Sequence, residues 1–347
     1  MNIVVLAGGI STERDVSLSS GTKVCAALRG EGHNAILLDV FLGMDDIPQG
    51  IAALFTQTDE IKTVMVAQQA PDLAAVRAMR GEGAMGEIGK HVLEICRAAD
   101  IVYMGLHGEN GENGRLQAMF DVMEIPYTGT GYLGSALAMN KWITKELFLQ
   151  NDIVTAAGLL LKKGEDISVA ESLGLPVIVK PVHGGSSIGV FIAQSAGELS
   201  GAIRKAFQYE DEILVEKYVR GREFSVGILG NQVLPVIEII PKSGFYDYAN
   251  KYQPGWTKEV CPAQLEETAS KMLQDAAMKV FKVLQLDVYG RVDFILEEGT
   301  GKPYCLEANT LPGMTPTSLL PQEAAQVGLS YGQLCQKIIE LSLEKYR

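Results

Sequence analysis

The sequence lacks the features of several protein classes. No apolar run approaches the roughly 20 residues that a helix needs to cross a bilayer, and the amino-terminal stretch lacks the basic leader of a signal peptide. Positive charge is scarce: 30 lysines and arginines stand against 42 aspartates and glutamates, for a formal net charge of -12. This balance argues against a nucleic-acid or anionic-membrane partner. It does not exclude an anionic substrate, because a local basic cleft is enough.

Cysteine is also scarce, and its spacing gives neither a disulfide framework nor a zinc site. The five cysteines form no C-x-x-C pair and stand at positions 25, 96, 261, 305 and 335. An odd, scattered set is typical of reduced and mostly buried thiols in a cytosol. We therefore expect a cytoplasmic protein.

A chain of 347 residues is long for one core, so two or three domains are expected. The first third alternates strand-like and helical stretches, which predicts a parallel sheet with ligands at the carboxyl ends of its strands. "NIVVLAG" and "NAILLDV" are strands around a helix, "EIKTVMVA" (60–67) suggests a third, and a later strand ends at His107. The polar stretch 68–89 is interpreted as a hairpin or loop.

The rest of the chain is predicted to form antiparallel sheets with covering helices. Residues 131–153 are strongly helical, and 175–193 give a strand, a glycine-rich turn and a strand. Residues 212–240 are interpreted as successive strands of one antiparallel sheet, with turns at Arg220–Gly221 and Gly230–Asn231. A helix (266–285), the strands "GRVDFILEE" and "PYCLEAN" and a closing helix complete the chain.

Two of these late strands carry oxygen-bearing side chains at a spacing of two. Strand side chains repeat their direction every second residue, so Glu307 and Asn309 share one side, with Leu306 and Ala308 on the other. If the two strands pair, Asp293 joins them. Two carboxylates and an amide suit Mg²⁺, which shares its remaining shell with water and phosphates. The alternative is a solvated edge with a salt bridge to Arg291.

Three further stretches could carry chemistry. Lys180 precedes a Gly- and Ser-rich turn whose backbone N–H groups would cradle a phosphate, or it belongs to an ordinary hairpin. Glu13 lies at a helix start, where it either complements the helix dipole or binds an ammonium group. His107 follows a strand end in a glycine-rich loop, as a packing residue or a site residue. The aromatic stretch "FYDYANKYQPGW" (245–256) is typical of a loop that closes over a site.

Taken in order, these stretches resemble the D-alanine–D-alanine ligase family of the ATP-grasp fold. The resemblance spans nearly the whole chain. It is carried by "GGISTERDVSLSSG", "LHGENGENGRLQ", "PYTGTGYLGSALAMNKWITK", "VKPVHGGSSIGV", "EKYVRGRE", "FYDYANKY", "GRVDF" and "LEANTLPGMTPTSLLP".

The resemblance implies a mixed α/β (α+β) fold in which two antiparallel sheets sandwich ATP. An N-terminal parallel α/β domain (1–125) would bind the first substrate, followed by a central ATP-grasp domain (126–215). A C-terminal ATP-grasp domain (216–347) would carry the metal and second-substrate sites. The family also implies a homodimer.

The resemblance further implies a role for individual residues. Glu13, Ser186 and Tyr252 would form the network that holds the first substrate's ammonium, with His107 nearby, and Arg291 and the Gly313 N–H would stabilise an oxyanion. Lys251 and Ser318 would lie near the second substrate's carboxylate. The nucleotide would be held by Lys141, Lys180, Glu216, Lys217, Tyr218, Val219 and Glu223. Two Mg²⁺ ions, with Mn²⁺ as an alternative, would be held by Asp293, Glu307 and Asn309.

The implied reaction is the ATP-dependent joining of two D-alanines through an acyl phosphate, for peptidoglycan precursors and hence cell-wall biogenesis and cell shape. D-alanine–D-serine or D-alanine–D-lactate ligation is the alternative within the class, although Tyr252 in "YANKYQ" resembles the D-alanine type. A nucleotide-binding module without turnover and a Rossmann-type oxidoreductase are further alternatives; "AGGIS" lacks the third glycine of the latter. The sequence departs from the family pattern at Asn113 and at His183 and Gly184.

Overall fold

The computed structural model of the protein describes residues 1–56, 71–81, 84–185, 187–242 and 255–347. The suggested strand at 60–67 and most of the predicted closing loop lie outside these ranges. All five cysteines are free, as the sequence predicts. In the part of the chain that is described, no helix has the length and apolar character needed to span a bilayer.

The amino-terminal third forms the predicted parallel sheet. Its strands, in the order β2-β1-β3, are β1 (Asn2–Ala7), β2 (Asn34–Asp39) and β3 (Ile101–Met104). β1 is the central strand and its apolar run is almost entirely buried, as expected for a strand covered on both faces. The prediction that the later strand, here β3, reaches His107 was wrong, because pairing with β1 ends at Met104 and the chain then turns at Gly108, with φ 70°.

Helices cover this sheet and lead away from it. They are α1 (Arg14–Gly30), α2 (Ile51–Leu54), α3 (Leu73–Ala78), α4 (Val92–Arg97), α5 (Glu109–Glu112), α6 (Arg115–Val122), α7 (Tyr132–Met139) and α8 (Lys141–Gln150). The helical stretch 131–153 is thus split at Asn140, whose backbone is extended (ψ 99°). Its side-chain oxygen accepts the N–H of Ile143 at 2.9 Å and caps α8.

A four-stranded antiparallel sheet follows, in the order β4-β7-β5-β6. Its elements are β4 (Gly158–Lys162), a 3₁₀ helix (Ile167–Leu173), β5 (Val177–Pro181), β6 (Phe191–Ala193), α9 (Ala196–Ala206) and β7 (Glu212–Lys217). α9 packs on this sheet through a core that includes Leu199 and Ile203.

The last third forms the larger antiparallel sheet, in the order β11-β10-β8-β12-β13, with β9 paired to β8. Its strands are β8 (Gly221–Leu229), β9 (Gln232–Val233), β10 (Ile237–Pro241), β11 (Thr257–Val260), β12 (Tyr289–Glu297) and β13 (Pro303–Asn309). Its helices are α10 (Glu267–Val283), α11 (Leu319–Gln326), α12 (Tyr331–Leu343) and a final 3₁₀ turn (Glu344–Tyr346).

One strand assignment was wrong in its pairing. Residues 212–240 do not form a single sheet, because β7 pairs with β4 and β5, whereas β8 begins the other sheet. The predicted turn at Arg220–Gly221 is therefore a passage between sheets. The predicted turn at Gly230–Asn231 does join paired strands, since Leu229 lies opposite Gln232.

Among the described residues, the three largest hydrophobic cores match the three sheets. The first joins β1, β3 and α1 to Leu334, Ile338 and Ile339 of α12, so the end of the chain packs on its beginning. The second lies under the large sheet and includes Phe224, Phe281 and Phe294. The third lies under the four-stranded sheet. The predicted boundary between residues 215 and 216 falls inside β7 and stays a prediction.

Candidate active site

A cavity of about 350 Å³ lies between the two antiparallel sheets. One wall comes from β5 and β7, and the other from β8, β10, β12 and β13. Each of the residues predicted to hold the nucleotide lines it, and so do Asp293 and Glu307 of the predicted metal site. The sheets therefore bring together side chains that are more than 160 positions apart in the chain.

Lysines and a glycine-rich loop form one side of this cavity. Lys141 is the first residue of α8, and its ammonium donates to the carbonyl of Gly184 in the loop after β5. Asn140 pairs with His183 in an isolated β-bridge, which fixes the loop to the start of α8. Backbone N–H groups and an ammonium at one end of a cleft suit a phosphate group.

Glu216 lies between two buried lysines. Its carboxylate forms ion pairs with Lys180, at the end of β5, and with Lys145, one turn after Lys141; the Lys145 Nζ–Oε1 distance is 2.6 Å. Burial acts to raise the pKa of Glu216, but Lys180 and Lys145 lower it to about 2. Burial acts to lower the pKa of Lys180, but Glu216 raises it above its ordinary value. The carboxylate is therefore ionised at neutral pH.

The passage between the sheets lines the same cavity. Lys217, Tyr218 and Val219 follow Glu216 there, and the Tyr218 N–H donates to the Pro176 carbonyl at 3.0 Å, which fixes the backbone. Glu223, at the start of β8, faces them from the other sheet. Apolar walls beside fixed backbone polar groups are typical of a site for a flat ring.

Asp293 is the centre of a hydrogen-bonded cluster on the opposite wall. Arg291 Nε and Nη2 donate to its two oxygens, each at 2.9 Å, and Ser225 Oγ donates at 2.7 Å. The Asn309 amide donates to Oδ2 at 3.0 Å. β12 and β13 do pair, with Asp293 opposite Glu307, so the condition for bringing these side chains together is met. The salt bridge to Arg291 is present, but it is buried rather than on a solvated edge.

The predicted division of side chains along β13 was wrong at Leu306. The register between β12 and β13 shifts after Asp293, which is the signature of a β-bulge. Leu306 and Glu307 consequently both line the cavity, whereas Ala308 is buried in the core below the sheet. A bulge breaks the alternation of side chains, and nothing in the local sequence announces it.

The oxygen-bearing residues of this wall fit a magnesium site. Within the described residues no three His, Cys, Asp or Glu side chains are grouped as a metal cage. Two carboxylates and an amide instead supply few, hard ligands, which is the donor set that Mg²⁺ accepts when phosphates and water complete its shell. Glu307 lines the cavity that Lys141 and Lys180 also line, so an ion there would lie beside a bound phosphate.

Glu13 approaches the cavity from the amino-terminal domain. It is the N-cap residue of α1 and is buried, with 7% of its surface exposed. A Cβ on Gly185 would stand 2.7 Å from its Oε2, and one on Gly108 would stand 3.0 Å away. Glu13 therefore lies between the glycine-rich loop after β5 and the loop after β3. Both loops approach its carboxylate closely because Gly185 and Gly108 have no Cβ.

His107 lies beside Glu13 and is also buried. Ser11 Oγ donates to its carbonyl at 2.7 Å, and within the described residues its Nε2 has no hydrogen-bond partner. Burial lowers the pKa of His107, although Glu13 and a hydrogen bond with Leu311 oppose this. A neutral imidazole with an unsatisfied nitrogen is thus placed where the predicted first substrate would bind.

Glu112 is a second carboxyl in this region. It accepts the N–H of Gly108 at the loop after β3. Burial, and then the charge of Glu13, raises its pKa to about 8. The Glu112 carboxyl therefore keeps its proton to a higher pH than an exposed glutamate does.

Gly313 and Ser318 lie in one compact loop after β13. Ser318 Oγ accepts the Thr315 N–H at 3.0 Å and would stand 3.1 Å from a Cβ on Gly313. Ser186, Lys251 and Tyr252 lie outside the described residues, and their roles stay predictions.

The sequence did not predict two charged features in and beside the cavity. Lys145 was detectable, because it follows Lys141 by four positions in a helix and so shares its face. The pair of Arg222 and Glu238, with Nε–Oε1 at 2.7 Å, joins β8 to β10 at the cavity wall. No local sequence pattern indicates this ion pair, because only the fold shows that β8 and β10 are neighbours.

Two antiparallel sheets that close on such a cleft, with lysines on one wall and carboxylates on the other, define an ATP-grasp enzyme. Residues 2–130 match the family model described as D-ala D-ala ligase N-terminus, and residues 153–340 match D-ala D-ala ligase C-terminus. The chain therefore belongs to the D-alanine–D-alanine ligase family, as the sequence motifs predict.

Individual relatives agree over the full length. The chain is 44% identical to a D-alanine–D-alanine ligase of Pediococcus pentosaceus, over 98% of this chain and 97% of that one. It is 39% identical to that of Lacticaseibacillus casei, over 100% and 97%. The chain is also similar to the solved D-alanine–D-alanine ligase from Bacillus anthracis complexed with ATP, with 28% identity and a TM-score of 0.76. The match covers 99% of this chain and 98% of that one.

A solved structure of different stated specificity is also similar. The VanG D-Ala:D-Ser ligase from Enterococcus faecalis has 29% identity and a TM-score of 0.74, covering 98% of this chain and 99% of its own. The fold therefore does not by itself distinguish the second amino acid.

Proposed function

We propose that this protein joins two D-alanines to D-alanyl-D-alanine, converting ATP to ADP and phosphate, as a step in making peptidoglycan precursors. The observation that carries the proposal is the cleft itself. Lys141 and Lys180 line it together with Asp293 and Glu307, and Glu13 lies beside the glycine-rich loop after β5 at one end. A nucleotide, a metal and an amino acid are the ligands that these groups suit.

The first step is phosphoryl transfer to the first D-alanine. Its carboxylate attacks the γ-phosphorus of ATP, the bond to the β-γ bridging oxygen breaks, and ADP leaves. Such a step depends on positioning and on neutralising charge. Lys141 and Lys180 hold the phosphates, the segment Glu216–Val219 holds the adenine and Glu223 the ribose.

The second step is attack of the second D-alanine's amine on the acyl phosphate. The nitrogen bonds to the carbonyl carbon and releases a proton to solvent, and the carbonyl oxygen becomes an oxyanion. The C–O bond to phosphate then breaks as the carbonyl re-forms, and phosphate leaves with both electrons. Arg291 and the Gly313 N–H donate to the oxyanion. Removing one such donor typically costs about 3 kcal/mol of transition-state stabilisation.

Acidic and polar groups fix the two substrates. Glu13 holds the ammonium of the first D-alanine in a network with Ser186 and Tyr252, and His107 lies beside it. Lys251 and Ser318 lie near the carboxylate of the second D-alanine.

Two Mg²⁺ ions, with Mn²⁺ as an alternative, are proposed to be held by Asp293, Glu307 and Asn309. When bound, such ions neutralise the charge on the β- and γ-phosphate oxygens. Arg291 and Ser225 hold the Asp293 carboxylate in place by hydrogen bonds, so the ligand is positioned by the fold.

Product analysis tests the proposal. Incubation with ATP, Mg²⁺ and a panel of D-amino acids and D-hydroxy acids should give D-alanyl-D-alanine, with phosphate release dependent on D-alanine. Glu307→Gln should abolish the product, whereas Glu298→Gln, an exposed change just after β12, should not. Phosphate release that is unchanged without an amino acid would favour a different function.

The D-alanine–D-serine alternative is favoured by the Enterococcus faecalis neighbour alone. Competition between equal concentrations of D-alanine, D-serine and D-lactate at neutral pH separates these functions. We expect the dipeptide of D-alanine to dominate. An excess of D-alanyl-D-serine or D-alanyl-D-lactate over D-alanyl-D-alanine would instead assign the alternative specificity.

The larger organisation is proposed on the family's pattern. The domains are 1–125, 126–215 and 216–347, the protein is a homodimer, and the reaction takes place in the cytoplasm, where ATP is available. No partner nucleic acid or membrane is expected. Light scattering on the purified protein measures the oligomeric state.

A further inference from the structure

Lys145 is a buried cation that the proposed reaction does not use. It lies in α8, one turn after Lys141, with 3% of its surface exposed. Its ammonium donates to Thr155 Oγ1 at 2.9 Å and to the Ala156 carbonyl at 2.6 Å, and it pairs with Glu216 Oε1 at 2.6 Å. An ammonium has three N–H donors, so all three are used within the protein.

Lys180 differs from Lys145 in the number of N–H donors that remain for a ligand. Within the part of the chain that is described, the acceptor of its ammonium is Glu216. Two of its N–H donors therefore remain for a ligand, and Lys180 lines the cavity. Lys145 does not appear among the described residues of the cavity wall, and with its donors satisfied it has none for a phosphate.

The three side chains carry one surplus positive charge. Glu216 neutralises one of the two ammonium groups, and both of its oxygens are occupied. Without Lys145 the remaining pair would be neutral, and a phosphate would have to compete with a buried carboxylate for the charge of Lys180. Attraction between opposite charges is strong at such depth, because water screens it little.

We propose that Lys145 is a positioning residue for nucleotide binding: by holding and neutralising Glu216, it leaves the charge of Lys180 available to the phosphate groups. The proposal rests on the function proposed above and adds a residue to its nucleotide site. A purely structural role for Lys145 would affect the binding of ADP and of adenosine alike. The proposed role affects the binding of the phosphate groups and not that of the adenosine part.

The test compares two probes on Lys145→Met, which keeps the length of the side chain and removes its charge. Calorimetric titration with ADP and with adenosine, in Mg²⁺ without D-alanine, gives both affinities. We expect ADP to bind about tenfold more weakly, the effect of losing one net charge interaction, and adenosine to bind within twofold of the original protein. Equal losses for both probes, or no loss for ADP, would overturn the proposal.

Two matched variants separate charge from packing. Lys145→Arg retains the cation and should keep the ADP affinity within about threefold. Thr155→Val removes one acceptor of the ammonium without changing charge and should leave the ratio of ADP to adenosine affinities unchanged.

A double variant keeps the test decisive if Lys145→Met does not fold. Because Lys145 acts through Glu216, adding Lys145→Met to Glu216→Gln should cause no further loss of ADP affinity relative to Glu216→Gln alone. An additional tenfold loss in the double variant would show direct action on the ligand and contradict the proposal. The unaltered protein is measured in parallel: if it binds no ADP, the proposed function fails and not this inference.

Discussion

At the scale of single residues, one buried acid stands out near Arg291, the proposed oxyanion donor. Glu323 of α11 is fully buried, and its Oε1 accepts the Gly227 N–H at 2.9 Å. Gly227 lies opposite Arg291 in the pairing of β8 with β12. Within the described residues Oε2 has no partner. Burial raises the pKa of Glu323 to about 8, despite the opposing Gly227 hydrogen bond and Arg291.

The raised pKa predicts how stability changes with pH. The folded protein keeps the Glu323 proton up to about pH 8, whereas the unfolded chain releases it near pH 4.5. The free energy of unfolding therefore falls as pH rises between these values. Glu323→Gln mimics the protonated acid and should be more stable than the original protein at pH 9, by on the order of 2–4 kcal/mol, with the gap closing by pH 5.

Urea unfolding at pH 5, 7 and 9 measures this difference. Glu94→Gln, an exposed change in α4, is the control and should show no pH-dependent gap. A Glu323→Gln protein that is less stable than the original at pH 9 would show that the carboxylate is ionised and needed.

The sequence predicts which side chains share a direction on their strands better than it predicts their contacts. The spacing of two in "EAN" and "RVD" gives Asp293, Glu307 and Asn309 one direction, and pairing of the strands brings them together. The double pairing of Glu216 was not predictable, because Lys145, Lys180 and Glu216 come from three elements whose proximity only the fold decides.

At the scale of elements, close packing decides where glycine is required inside a helix. Gly134 in α7 faces the backbone of another segment, and a Cβ there would stand 2.5 Å from the Gln285 carbonyl oxygen. Gly201 in α9 has nothing within 4 Å of the same position. Both glycines lie inside helices, but only Gly134 is a packing residue.

Opposite effects on stability follow for the two glycines. Gly134→Ala should lower the free energy of unfolding by about 1–3 kcal/mol, because the backbone carbonyl has to move. Gly201→Ala should raise it by about 0.5–1 kcal/mol, since alanine is the better helix former. Chemical denaturation of both variants measures the sign of each change in the free energy of unfolding. Stabilisation by Gly134→Ala would mean that α7 can shift away from Gln285.

Element type was predictable where periodicity is strong, and pairing was less so. The long helix α10 and the strands β12 and β13 fall where the pattern predicts them. The separation of β7 from β8 was missed because both are apolar strands joined by a short turn-like stretch. No local sequence pattern indicates that the chain passes from one sheet to the other between β7 and β8.

At the scale of the whole molecule, the end of the chain completes the first domain. α12 packs against α1, and its buried face shares a core with β1 and β3. The sequence places the closing helix but not its partner. The core that holds Glu13 and His107 in place therefore depends on residues more than 200 positions away.

This packing predicts the effect of Ile338→Ala. Ile338 has no exposed surface, so the cavity should lower the free energy of unfolding by about 2–5 kcal/mol. Hydrogen exchange should show faster exchange of amides in β1 as well as in α12. Lys337→Ala, at a half-exposed neighbour, should change stability by less than about 0.5 kcal/mol. Faster exchange confined to α12 would contradict the shared core.

In the proposed reaction, ATP activates the carboxylate of the first D-alanine by phosphorylating it. D-alanine labelled with ¹⁸O in both carboxylate oxygens tests this directly, with mass analysis of the released phosphate. One ¹⁸O per phosphate is predicted, because the bridging oxygen of the acyl phosphate leaves with phosphorus, while the new peptide carbonyl keeps the other. Phosphate without the label, released alongside dipeptide, would contradict the central claim.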